Sequence, residues 1–164
     1  MLGFALLLAV LAGCEQDGQP SAAPATTIST VAPTTTPSVT AAERAWPAGV
    51  AKLRERLDGV FFQSEVILTR AKLREYIRTG RSCAPGLARL GPPTERLEQT
   101  GATAKRACRS YARAAAVYEQ RVAPVLGTGA SDMQQRLQAA AEHEGNGSNG
   151  LRQAELEAKV ALQG

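Results

Sequence analysis

The spacing of apolar residues predicts a first long helix that begins at Trp46 and Pro47 and ends near Gly80. Proline is well tolerated in the first turn of a helix, and glycine is common just past the last turn. Between these points, apolar or small residues recur at alternating intervals of three and four, as in a helix packed lengthwise on another. This stripe consists of Val50, Leu53, Leu57, Val60, Ser64, Ile67 and Ala71.

The same alternation predicts a second long helix after Gly91, Pro92 and Pro93, with Thr94 as a possible cap. Its stripe runs without a break through Leu97, Gly101, Ala104, Cys108, Tyr111, Ala115, Tyr118 and Val122. Pro124 and Gly127 come directly after it and are expected to end the helix. Each predicted helix has about 30 residues and a length of about 45 Å. Matched lengths favour an antiparallel hairpin.

The remaining sequence predicts two shorter helices. Ser131 or Asp132 can cap the first, and the glycine- and asparagine-rich residues 145–150 are expected to break the chain. A final helix would run from Leu151 to Leu162, side by side or end to end with the previous one. No segment alternates with period two, as a strand would. The pattern therefore predicts an all-α fold, a three- to four-helix bundle built on a long antiparallel hairpin.

An uncharged apolar run precedes these helices, at residues 2–12. It is shorter than the ~20 residues of a membrane-spanning helix but suits the apolar core of a signal peptide. The next residues complete the stretch Leu11, Ala12, Gly13 and Cys14, which resembles the lipobox of bacterial lipoproteins. This resemblance implies cleavage before Cys14, a diacylglycerol on its thiol, and anchorage of an exported protein to the outer face of the cell membrane.

The sequence departs from that family in one respect, since no Lys or Arg precedes the apolar run. We expect that the true start lies upstream. The alternative, a buried N-terminal helix, is disfavoured because residues 15–41 are rich in Thr, Pro, Ala and Ser and could not fold back onto a core. The predicted organisation is a signal peptide at 1–13, a lipidated Cys14 with a disordered tether at 14–41, and a helical domain at 42–164. The threonines of the tether are possible glycosylation sites.

Cysteine usage predicts a disulfide in the helical domain. The chain has three cysteines, and the lipobox accounts for one of them. The other two, Cys83 and Cys108, would meet in an oxidising compartment, where such pairs are normally bonded. The bond requires the chain around Leu87 and Leu90 to run alongside the second helix as a short helical turn. A redox or metal role is the alternative, but no histidine lies near either cysteine in the sequence.

Patterns of catalytic residues are sparse. The one histidine, His143, lies between Glu142 and Glu144, and we expect its side chain to be solvated. Glu65 lies one step off the apolar stripe and is interpreted as a solvated flank. The chain has no phosphate-binding loop, zinc-ligand spacing or dinucleotide fingerprint. We therefore expect no metal, no cofactor and no enzymatic activity.

Charge is the feature that points to a partner. Residues 43–121 hold 16 Lys and Arg against 8 Asp and Glu, whereas residues 122–164 hold 3 against 5. The basic residues form two helical stripes, one of Arg70, Arg74, Arg78 and Arg81 and one of Lys105, Arg106, Arg109 and Arg113. Such a face suits anionic lipid headgroups, wall polymers or an acidic envelope protein, and a plain solvated face is the alternative. Nucleic acid is disfavoured because the protein is expected to be exported.

The resulting hypothesis is a membrane-anchored surface lipoprotein whose non-catalytic helical domain binds a component of the envelope. An accessory or inhibitory subunit of an envelope enzyme or transporter is the second hypothesis. A catalytic role ranks third. A solute receptor for a transporter is disfavoured, because such receptors have two α/β lobes and a longer chain.

Overall fold

The computed structural model describes residues 38–62 and 68–163, and all regular structure among them is helical. The predicted signal peptide, Cys14, nearly all of the tether and Glu65 lie outside the described residues. The helices are α1 (Ala41–Phe61), α2 (Arg70–Arg81), α3 (Cys83–Ala88), α4 (Glu98–Val117) and α5 (Met133–Ala161). A 3-10 turn at Glu95–Leu97 precedes α4, and a π-helical turn at Tyr118–Val122 and a 3-10 turn at Ala123–Val125 follow it.

The helices form an up-down-up-down bundle in which α2 and α3 together make the second member. Helix α1 packs against α3 and α5, and α4 packs against α2, α3 and α5. Between α1 and α5, the Arg54 guanidinium lies 3.6 Å from the Glu155 carboxylate, and the Ser148 hydroxyl donates to Asp58 at 3.0 Å. The later residue of α1 meets the earlier residue of α5, so the two helices are antiparallel. The predicted all-α bundle is confirmed.

Helix α1 begins earlier than predicted, because a capping box fixes its start at Ala41. The Thr40 side chain accepts a hydrogen bond from the Glu43 backbone N–H at 3.2 Å, and the Glu43 carboxylate accepts one from the Thr40 N–H at 2.8 Å. Together they satisfy two donors that the helix leaves free. Pro47 consequently lies inside α1 rather than in its first turn, so the prediction that Trp46 and Pro47 open the helix is wrong.

The prediction of one helix from residue 46 to residue 80 is also wrong, since α1 ends at Phe61 and α2 begins at Arg70. In a straight helix Phe61 and Tyr76 would lie about 22 Å apart along the axis. Their ring centroids are instead 5.4 Å apart, and both side chains are buried. Helix α2 therefore lies back against the end of α1. This arrangement buries the two large aromatic rings in one core. The hydroxyl of Thr69 caps α2 by accepting from the Lys72 N–H.

This turn changes the partner of α4. Near its start, the Thr94 hydroxyl donates to the Glu43 carboxylate at 3.0 Å, and further along, the Tyr111 hydroxyl donates to Asp58 at 2.9 Å. Helix α1 therefore runs parallel to α4. The antiparallel neighbour that precedes α4 in the chain is instead the pair α2 and α3. The Thr94 side chain makes no capping hydrogen bond, because its hydroxyl donates to Glu43 of α1.

The stripe predicted for the second long helix is confirmed in every position. Its eight residues, from Leu97 to Val122, are all buried. The disulfide is confirmed as well, with the Cα atoms of Cys83 and Cys108 5.2 Å apart. Helix α3 supplies the short helical turn expected around the buried Leu87. Closing a loop of 25 residues contributes about 3 kcal/mol to stability by its effect on the unfolded chain.

Helix α5 contradicts the predicted break, because it runs through residues 145–150 as one helix of 29 residues. A Cβ atom on Gly147 would lie 2.6 Å from the Tyr111 ring, and one on Gly150 would lie 2.9 Å from the Ala107 Cβ. Each glycine costs a helix about 1 kcal/mol relative to alanine. Here the missing side chains let α5 approach α4 closely, and the packing gained offsets that cost.

Two neighbouring glycines of α5 should therefore respond in opposite directions to alanine. Gly147→Ala should lower the free energy of unfolding by about 1–3 kcal/mol, because its methyl group collides with the Tyr111 ring. Gly145→Ala should raise it by about 0.5–1 kcal/mol, since nothing lies within 4 Å of the added atom. Urea unfolding of the two variants beside the wild type measures both values, and a shift of the same sign in both would contradict this account of α5.

Candidate functional site

The predicted basic residues all lie on the surface of two adjacent helices. Helix α2 buries Leu73, Tyr76 and Gly80 toward α4, and this places its arginines on the opposite side. We use the term basic face for the eight exposed residues Arg70, Arg74, Arg78, Arg81, Lys105, Arg106, Arg109 and Arg113. All eight side chains are exposed, and their binding role stays a prediction.

Most charges on the basic face have no anionic partner. Arg81 pairs with Glu119, and the Arg106 guanidinium donates to the Thr103 hydroxyl at 2.9 Å. Within residues 38–62 and 68–163, the other six members form no ion pair. A cluster of uncompensated cations raises the local positive potential and attracts anions.

The basic face borders two separate depressions. Arg74, Arg78 and Arg81 line a shallow one between α2 and the π-helical turn that follows α4, together with Glu75 and Glu119. Lys105 and Arg109 line the other, which Cys108 of the disulfide also lines. The structure therefore places the two stripes on neighbouring helices but around different surface features.

The second depression is an apolar groove of about 570 Å³, formed by α1, α3, the loop at residues 91–93 and α4. Lys105 and Arg109 are the two charged side chains in its lining. The other lining residues are apolar or small: Trp46, Ala84, Leu87, Ala88, Gly91, Pro92, Pro93, Gly101, Cys108 and Ala112. We call this feature the Trp46 groove. Sequence analysis missed it, because its walls come from four segments whose small residues give no signal individually.

Glu144 is a buried carboxyl group to which sequence analysis assigned no role. Its side chain is 3% exposed, and its Oε1 atom has no hydrogen-bond partner. Burial raises its pKa to about 7, and a hydrogen bond with the Tyr118 hydroxyl partly opposes that rise. Burial and the same bond raise the pKa of Tyr118. His143 beside it is half-buried.

The surroundings of Glu144 make it a structural group. Burial is the main cause of the raised pKa values of Tyr76 and Tyr111, and the charge of Glu144 adds to both. Burial and the Tyr118 hydroxyl account for the pKa shift of Glu144 itself. The carboxyl group thus lies among core tyrosines and lines neither depression beside the basic face.

The described part of the chain holds no group of His, Cys, Asp and Glu side chains that could bind a metal ion. The thiols of Cys83 and Cys108 are joined to each other, and this disulfide excludes them as free metal ligands. None of the described helices is long and apolar enough to span a membrane.

Comparison with protein-family models, with curated proteins and with solved structures finds no match to this chain. The function is therefore argued from the residues and their geometry.

The raised pKa of Glu144 should make the domain less stable as pH rises. The folded state keeps a proton up to about pH 7, whereas the unfolded chain loses it near 4.5. The stabilisation that this bound proton provides is complete below about pH 4.5 and is lost as the pH rises through 7. We expect the free energy of unfolding to fall by about 1–3 kcal/mol between pH 5 and pH 8.

Glu144→Gln should remove most of this slope, and the exposed neighbour Glu142→Gln should leave it in place. Urea unfolding across the pH range measures both. Three other carboxyl groups have lowered pKa values: Glu43, Asp132 and Glu155. Their contribution to stability is lost only as the pH falls to acidic values, so it does not produce this slope. A wild-type slope that survives in the Glu144→Gln protein would contradict the assignment.

Proposed function

We propose that this protein is an exported lipoprotein, anchored to the membrane through Cys14, whose helical domain binds an anionic component of the envelope through its basic face. The observation that carries the proposal is the set of six exposed cations on α2 and α4 that have no ion-pair partner among the described residues. We propose a binding role and no catalytic one.

The arrangement of the basic face supports an extended anionic ligand better than a small one. Four of its members follow one side of α2, at intervals of three and four residues, and four follow one side of α4. Because α2 packs on α4, the two rows lie on adjacent helices. An anionic membrane or a wall polymer presents many charges over such an area, and each cation near an anionic membrane contributes about 1 kcal/mol.

The predicted tether agrees with a domain that works at a distance from its anchor. The 25 residues from Glu15 to Val39, which precede the Thr40 cap of α1, could reach roughly 80 Å if extended as polyproline II. Such a spacer would let the basic face meet either the membrane that holds the anchor or the wall beyond it.

The anchor is tested by replacing its acceptor thiol. With the gene expressed from its own locus, Cys14→Ser should move the protein from the detergent phase to the aqueous phase on phase separation, since it removes the lipid. Mass spectrometry of the wild-type N-terminus should find an acylated Cys14. An unmodified residue there, or a wild-type protein in the aqueous phase, would rule out the lipid anchor.

Binding by the basic face is tested with three of its unpaired arginines. The oxidised 38–164 domain carrying Arg78→Ala, Arg109→Ala and Arg113→Ala should bind anionic vesicles or purified wall polymer on the order of a hundredfold more weakly, at about 1 kcal/mol for each charge. Co-sedimentation measures this binding. Raising the salt from about 0.1 M to about 1 M should weaken the wild type strongly and the variant less.

A matched control removes the same charge elsewhere. Arg44→Ala, Lys52→Ala and Arg152→Ala change three exposed cations of α1 and α5, and binding should stay within a few-fold of the wild type. Equal losses in both triple variants would show that net charge alone acts. Capture of one stoichiometric envelope protein, with no binding to vesicles or polymer, would replace the proposal with an accessory-subunit role.

A further inference from the structure

We propose that the Trp46 groove holds one acyl chain of an anionic membrane lipid, whose acidic headgroup lies against Lys105 and Arg109. The inference deepens the proposed function and rests on it, because both cations belong to the basic face. It adds a ligand class and a second element of recognition, an apolar one, to a surface described so far by its charge.

The lining of the groove fits a hydrocarbon chain. Ten of its twelve lining residues are apolar or small, and its volume of about 570 Å³ lies within the range of about 300–1,000 Å³ of small-molecule sites. Exposed alanines at positions 84, 88 and 112 form part of its wall. An apolar chain gains by leaving water for such a surface.

The charges that line the groove select an anion. Lys105 and Arg109 are one helical turn apart on α4, and no carboxylate lies in the lining. Neither cation forms an ion pair among the described residues. A ligand with an acidic head and an apolar chain satisfies both parts of the site. A wall polysaccharide supplies the charge but no long hydrocarbon chain.

The walls of the groove are held in place by the fold. Cys108 is bonded to Cys83, which fixes the start of α3 to the middle of α4. The loop packs tightly on α4, since a Cβ atom on Gly101 would lie 2.5 Å from Pro93. A site that is already formed loses less conformational entropy when a ligand binds.

Trp46 provides a direct readout, because it is the only tryptophan in the chain and it lines the groove. The probe is lauroyl-lysophosphatidylglycerol, a single-chain anionic lipid, titrated below its micelle concentration into the oxidised protein. We expect a saturable change in Trp46 fluorescence and an affinity that rises up to roughly fourfold for each methylene added between the octanoyl and lauroyl chains.

Two matched ligands separate the chain from the charge. Lauroyl-lysophosphatidylcholine has the same chain without net charge and should bind roughly tenfold more weakly. Glycerol 3-phosphate has the charge without the chain and should leave the fluorescence unchanged. Equal binding of the two lysolipids, or no dependence on chain length, would overturn the proposal.

Filling the groove provides the matching test on the protein. Ala112→Phe places a ring in the groove and should weaken lysolipid binding more than tenfold, whereas Ala141→Phe, on the exposed side of α5, should not. Ala88→Leu serves as a second filling variant if Ala112→Phe does not fold. Unchanged binding in a folded filling variant would overturn the proposal.

The two proposals can fail separately. If anionic vesicles bind with the expected salt dependence but the lysolipid leaves Trp46 unaffected, the groove assignment is wrong and the basic face keeps its role. If the lysolipid binds with the expected chain dependence but vesicles and polymer do not, the groove is retained and the broader binding role of the basic face is wrong.

Discussion

The packing around Tyr111 is the constraint on which the rest of the bundle depends. Its ring stacks on Phe61 of α1 with centroids 5.6 Å apart, and its edge fits into the space left by Gly147 of α5. The backbone carbonyl of the same residue would lie 2.7 Å from a Cβ atom on Gly80 of α2. One fully buried side chain and its backbone thus fix the approach of three helices to α4. The glycines at those contacts are required by proximity, not by backbone conformation.

A hydrogen-bond network at the same point makes the junction specific. The Tyr111 hydroxyl donates to Asp58, which also accepts from Ser148 and from Arg54. Burial and the bond to Asp58 both raise the pKa of Tyr111, so the phenol stays neutral and keeps its donor role. Buried polar groups that are satisfied in this way allow one arrangement of the helices and penalise others.

This arrangement leaves α4 with two different sides. One side is held by α5, α2 and α3, and it carries the buried stripe through Tyr111. The other side presents four cations to solvent, and two of them line the Trp46 groove. The loop at residues 91–93 bounds that groove near the start of α4, and the disulfide joins its α3 wall to the middle of α4. The surface proposed for binding is therefore a consequence of how the core organises α4.

The continuity of α5 and the end of α1 are the two points at which local sequence patterns gave the wrong prediction. A stripe with the same intervals of three and four runs through Ala140, Glu144, Gly147, Leu151, Ala154 and Ala158, all of them buried. This stripe predicts a helix that continues through the glycines of α5 and buries Glu144. Local propensity argued for a break there, and packing against Tyr111 overrode it. The first predicted helix shows the opposite error. There the regular stripe predicted a continuous helix past Phe61, whereas α1 ends at Phe61 and the Tyr76 ring of α2 packs back against it.

The sequence by itself determined the helical class, the buried stripe of α4, the pairing of Cys83 with Cys108 and the arrangement of the basic residues in two helical stripes. The helical class and the stripes follow from local patterns of apolar and charged residues. The disulfide follows by elimination, because the lipobox accounts for the third cysteine. Tertiary structure alone decided where α1 ends, that α5 is continuous, that Glu144 is buried, and that four separated segments enclose a groove beside Lys105 and Arg109. Each of those outcomes depends on side chains that are distant in sequence and meet only when the helices pack.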